Sequence, residues 1–213
     1  PNITCRVSLP SYFYIPAELY YNFGPILSKQ IIKNGKMEAL NTAMYGYVDN
    51  GLNTLPTSEQ IYAPDKFFTN ERYEELVIDS IEVDGFMLID EGSVGALDLV
   101  YLMQDKIGQK NAVNAAVGIG GGSWKDYVND SGELLMTLKL SGDDSTELQE
   151  IYDTFILWAE AQSRFVVGDS LVGGNLFTGD TNFWISKDQS HIRIVLSQNI
   201  DLLNSISSQL NNF

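Results

Sequence analysis

The chain has 213 residues, with 13 Lys and Arg against 28 Asp and Glu, and a net charge of −15. Its 44% hydrophobic and 19% charged residues exclude a disordered chain, and its length gives it room for a core without disulfide staples. Thirteen scattered bases give no electrostatic footprint for direct nucleic-acid binding, and no apolar run approaches the ~20 residues that span a bilayer.

Residues 2–9 alternate Ile3, Cys5, Val7 and Leu9 with Asn2, Thr4, Arg6 and Ser8, which predicts a half-buried strand ended by Pro10. Cys5 is the only cysteine, so an intrachain disulfide and a cysteine-rich zinc site are excluded. It reads as a small buried side chain. Pairing it with His191, the only histidine, as nucleophile and base is the weaker reading. Pro1 reads as uncovered by removal of an initiator methionine, and no signal peptide is recognisable after it.

Aromatic residues crowd the next stretch: Tyr12, Phe13, Tyr14, Tyr20, Tyr21 and Phe23. Pro16 suits a helix start. A helix is expected after Pro25, with Ile26, Leu27, Ile31 and Ile32 on one face and Gly35 as its stop, then a second short helix over 37–48. Turn formers at close intervals over 49–70 predict a long excursion carrying Leu52 and Leu55. An arm reaching a neighbour is its functional reading, and an ordinary surface loop the plainer one. Acidic residues 71–91, with Glu71, Glu74 and Glu75 at their start, read as a helix followed by a strand. Residues 93–107 read as a helix through Leu97, Val100, Tyr101 and Ile107.

Val117-Gly-Ile-Gly-Gly-Gly-Ser123 invites a phosphate-loop reading and fails it. No lysine stands where a P-loop needs one, and Ser123 stands where the third glycine of a dinucleotide loop belongs. A flexible link or a tight packing turn is expected instead. Leu134–Leu140 reads as a strand. Asp144 and Glu147 then form a capping arrangement for a helix striped by Leu148, Ile151, Tyr152, Phe155 and Ala159. Short apolar pieces between glycines follow as a hairpin or meander. His191–Ser197 reads as a strand and 200–210 as a closing helix. The fold class is therefore α+β, a mainly antiparallel sheet with helices packed on it and a C-terminal half ordered β-α-β-β-β-α. Residues 1–213 are read as one such domain, with 111–123 the place where a second unit would begin.

Nineteen acids against five bases leave residues 67–160 at −14, a field that repels nucleic acid and anionic lipid and attracts basic partners. No Gly-x-Ser-x-Gly elbow exists, and one His and one Cys are too few for zinc. EF-hand spacing is absent, and abundant carboxylates without spacing do not identify a glycosidase. No catalytic residue, cofactor, metal or small-molecule substrate is therefore expected. The leading expectation is a non-enzymatic structural or assembly subunit of a virion, phage tail, neck or baseplate, acting through protein contacts in a homo- or hetero-oligomer. Its location would be the virion, assembled in host cytoplasm, or otherwise the cytoplasm. Tyr12, Tyr14, Tyr20, Tyr21, Leu52, Leu55, Glu71, Glu74 and Glu75 are the expected partner-binding residues. The alternatives are an acidic inhibitor mimicking nucleic acid, and a small carboxylate-dependent enzyme.

Overall fold

The computed structural model describes residues 22–49, 57–69, 71, 73–78, 81–168, 170, 171 and 173–210. The expected strand at 2–9 lies outside them.

Seven strands make one antiparallel sheet. They are β1 (Phe86–Ser93), β2 (Ile119–Asn129), β3 (Leu134–Gly142), β4 (Val166–Val167), β5 (Asn175–Thr178), β6 (Asn182–Lys187) and β7 (Ile192–Ser197). Their order across the sheet is β1-β2-β3-β7-β6-β5-β4, so β1 and β4 are the edges among the described residues. The helices are α1 (Gly24–Asp49), α2 (Asp65–Phe68), α3 (Ala96–Ile107), α4 (Gln109–Ala116), α5 (Ser145–Glu160) and α6 (Ile200–Leu210). The α+β class and the β-α-β-β-β-α order of the C-terminal half are as the sequence predicts, with the two-residue β4 added.

Strand alternation divides the core in two. Leu138 and Leu140 of β3, Phe183 and Ile185 of β6, and Ile192 and Ile194 of β7 face one way. They meet Met103 of α3, Ala112 of α4 and the Leu148, Ile151, Phe155 and Ala159 stripe of α5. Leu135, Trp184 and Val195 face the other way and meet Leu203, Ile206 and Leu210 of α6. The sheet is thus covered on both faces at its centre, which is why β6 is buried residue after residue instead of alternating.

Local chemistry sets the helix ends. The Asp144 side chain accepts hydrogen bonds from the backbone N–H groups of Thr146 and Glu147, so α5 starts where the capping pattern places it. At α3, Asp98 accepts from Gly95 N–H at 2.9 Å, and Ser58 Oγ, far away in sequence, accepts from Leu97 N–H at 3.3 Å. Helix α1 is broken at Lys36, whose φ of 57° is left-handed, beside the stop expected at Gly35. Its Leu27 and Ile31 pack with Ala43 and Phe67, tying α1 to α2.

Two expectations are corrected. No helix forms over 73–78, which have no regular secondary structure. The backbone N–H of Glu74 donates to Gly120 O at 2.6 Å, and Tyr73 Oη donates to Gly122 O and accepts from Gly122 N–H at 2.9 Å. Those bonds replace a helical ladder. The glycine run is not a flexible link either, since Gly120, Gly121 and Gly122 are buried residues of β2. A Cβ on Gly121 would overlap the Glu74 carbonyl, so the glycines let a second piece of backbone lie against the strand. Nor is the run a turn, because it lies within β2.

Candidate functional site

Three groupings bring together side chains capable of recognition. The first is built around Lys66 on α2. Its Nζ donates to Glu59 Oε1 at 2.7 Å, to Glu71 Oε1 at 2.5 Å and to Asp143 Oδ2. Glu59 comes from the 3-10 turn Glu59–Ile61, Glu71 from the stretch after α2, and Asp143 from the β3–α5 turn. One ammonium therefore fastens the 57–69 stretch and Glu71 to the β3–α5 turn. Burial pushes the Glu59 carboxyl up to about 8, against the lowering effect of the Lys66 hydrogen bond. Burial also raises Glu71, helped by Asp143. Burial pulls Lys66 down, but the bonds to Asp143, Glu59 and Glu71 outweigh it and hold the ammonium above the usual lysine range. The three carboxylates offer oxygens within 4.8 Å of one another, a spacing that suits a divalent cation. Lys66 bonds to all three and supplies that charge itself. The cavity beside Glu59, about 10 Å³, has room for about one water and none for a substrate.

The second grouping is an open groove of about 500 Å³ on the α3 side of the sheet. Leu99 and Leu102 of α3 form a wall, and Trp124 and Met136 form part of the floor. Asp90 and Asp126 lie in it as direct cross-strand partners. Burial, then the charge of Asp90, raises the Asp126 carboxyl. Asp90 Oδ1 accepts from the N–H of Glu91, whereas the Asp126 carboxylate has no hydrogen bond or ion pair among the described residues. Asp98 also borders the groove, and burial raises it despite its bond from Gly95.

The third is the outer edge of β1. Met87, Leu88 and Ile89 are 62%, 47% and 55% exposed, three large apolar side chains in a row. Ile89 is the bulge between the Leu88–Tyr127 and Asp90–Asp126 pairs. At the opposite edge, Val166 and Val167 of β4 are also exposed.

Of the residues singled out from sequence, Tyr12, Tyr14, Tyr20, Tyr21, Leu52 and Leu55 lie outside the described residues. Glu71 is an ion-pair partner of Lys66 rather than a free surface acid. Glu74 and Glu75 are exposed on the irregular segment 73–78, away from the groove lining. Sequence reasoning missed Lys66, Glu59 and Asp143, whose partnerships span 5 to 77 residues. It also missed Asp90 with Asp126, which only strand register brings together. The unbroken Met-Leu-Ile run in β1 is the one signal that could have marked an unusual strand, since a half-buried strand alternates. The interacting acids fall into at least two groups, one around Lys66 that includes Glu147 and one in the groove.

No helix among the described residues is long and apolar enough to cross a membrane. Compared with protein-family models, with curated proteins and with solved structures, the chain matches none.

Proposed function

We propose that this protein is a non-enzymatic subunit of a larger protein assembly, joined to its neighbours along the edge of β1 and the acid-lined groove beside it. The observation that carries this reading is the run Met87-Leu88-Ile89, exposed on a strand whose outer backbone groups pair with no other described strand. Edge strands of monomeric proteins are normally blunted by Lys, Pro or a covering element, because an open apolar edge templates further pairing. The exposed valines of β4 lie on a second strand left unpaired on its outer side by the described residues. Two different edges on one subunit support head-to-tail contacts, which build rings or filaments. The groove adds a partner preference, since Asp90 and Asp126 favour a basic group carried on an apolar stem. The setting we favour, a virion or phage tail or neck, rests on the sequence: missing catalytic motifs, clustered acids and an aromatic N-terminal stretch.

The test is the mass of the protein in solution across a concentration series, by light scattering, for wild type and for a Met87→Lys, Ile89→Lys double variant. Both positions are exposed, so the variant's thermal midpoint should stay close to wild type. Wild type is expected to associate as concentration rises, and the variant to stay monomeric. A wild-type chain that remains monomeric throughout, and that is also recovered alone from its native source, overturns the reading.

A further inference from the structure

A cavity on the α6 side of the sheet is lined by two cationic side chains and by no acid. Lys139 of β3 and Arg193 of β7 are direct register partners, and His191 lies two residues before Arg193. With Thr137, Ile78 and Leu210 these side chains line a partly open space of about 100 Å³. Like charges directly opposite one another destabilise a sheet. The bonds they make do not use them up. Lys139 Nζ donates to Val77 O at 3.3 Å, and Arg193 Nη1 donates to Asp188 Oδ2 at 2.5 Å. Asp188 offsets part of the positive charge, and burial, then Lys139, holds the His191 imidazole below its usual range.

Two hydroxyls make the arrangement more than a pair of cations. Thr137 is 1% exposed, and its Oγ1 has no hydrogen-bond partner among the described residues. Ser141, four residues on along the same face of β3, has a buried Oγ in the same condition. Ser141 lines a neighbouring hollow of about 340 Å³ that also reaches His191. Buried hydroxyls are normally bonded, and one left open at the wall of a cationic cavity calls for an acceptor.

We propose that this cavity binds a small tetrahedral oxyanion, held by the charges of Lys139 and Arg193 and by a hydrogen bond donated from Thr137 Oγ1. Lysine supplies a point charge, the guanidinium supplies further donors for a second oxygen, and the threonine hydroxyl fixes orientation. The site is independent of the assembly reading, because it lies on the other face of the sheet from the groove.

The same chemistry is presented by free inorganic phosphate and by a phosphate monoester. The full-length chain is titrated calorimetrically with inorganic phosphate and, separately, with phenyl phosphate, each against chloride at equal ionic strength. Saturable binding of either anion at one site, with a rise in thermal midpoint over the chloride control, is expected. Tighter binding of the ester identifies an esterified ligand, and preference for inorganic phosphate identifies the free ion. Lys139→Gln should weaken binding roughly tenfold or more, as for a lost charge-assisted hydrogen bond. Thr137→Val, nearly isosteric, should weaken binding several-fold while the unliganded midpoint holds or rises. It keeps the test open should the Lys139 variant fail to fold. Absence of saturable binding to wild type, or binding by Thr137→Val as tight as wild type's, overturns the proposal.

Discussion

The carboxylates around Lys66 and those in the groove contain the same chemical groups put to different uses. Around Lys66, a single ammonium bonds to three acids drawn from three parts of the chain. In the groove, Asp90 and Asp126 face each other across two strands with no cation between them, and the Asp126 carboxylate has no hydrogen bond or ion pair among the described residues. A saturated cluster holds a fold together and has nothing left to offer a ligand. An unsaturated pair costs stability in the isolated chain and recovers it on meeting a positive charge. The contrast separates structural acids from acids available for recognition, a separation that net charge alone does not make.

The strongest way to break the contrast is to remove the cation. Lys66→Met should destabilise the protein by about 3 kcal/mol, the range seen when one partner of a largely buried ion pair is deleted. The Glu71 and Asp143 carboxylates would then crowd without a counter-charge beside the buried Glu59 carboxyl, and the contact of 57–69 and Glu71 with the β3–α5 turn would loosen. Urea unfolding at neutral pH measures the effect. A loss below about 0.5 kcal/mol, the level of ordinary surface substitutions, would show that the cluster is not structural.

A second variant reads the same cluster through pH. Glu59 titrates at about 8 in the folded protein, against 4.5 for a free glutamate. Between those values the folded state keeps a proton that the unfolded chain has released, so this group's contribution is complete at low pH and falls as pH rises toward 8. Glu59→Gln keeps an oxygen for Lys66 and has nothing to titrate. Relative to wild type, its urea midpoint should therefore rise steadily from about pH 5 to pH 8. Parallel curves over that window would mean that Glu59 is ionised throughout and that burial does not govern it.

What the sequence foretold follows the range of the interactions involved. Helix α5 could be read because its cap, Asp144, and its stripe from Leu148 to Ala159 lie within one short segment. Helix α6 and β7 declare themselves in the same local way. Residues 73–78 could not be read, because Val77 and Ile78 with Ile81 mimic helical spacing while the deciding bonds come from Gly120 and Gly122, about 46 to 49 residues away. The glycines misled for the same reason: absence of a Cβ reads as slack in a sequence and acts as a contact surface in the fold. Of the acids picked out in advance, Glu71 turned out to belong to the pinned cluster, while Asp90 and Asp126 passed unnoticed in a chain with 28 acids. Their significance lies in register, which a one-dimensional pattern does not carry.

The smallest expected effect concerns that pair directly. Asp126→Asn removes one of two like charges on adjacent strands and leaves the shape of the groove nearly unchanged. Relief of cross-strand repulsion should stabilise the protein by about 0.5 kcal/mol at neutral pH. The gain should fade as the solution is acidified, since burial and Asp90 already raise the Asp126 carboxyl and protonation relieves the repulsion by another route. Asp90→Asn should give a smaller gain, because Asp90 also accepts a bond from Glu91 N–H. The double variant should gain less than the two singles summed, because either substitution alone removes the same repulsion. A clear loss of stability in Asp126→Asn would mean that this carboxylate is held by partners within the chain, and the division between structural and recognition acids would then fail at its most exposed point.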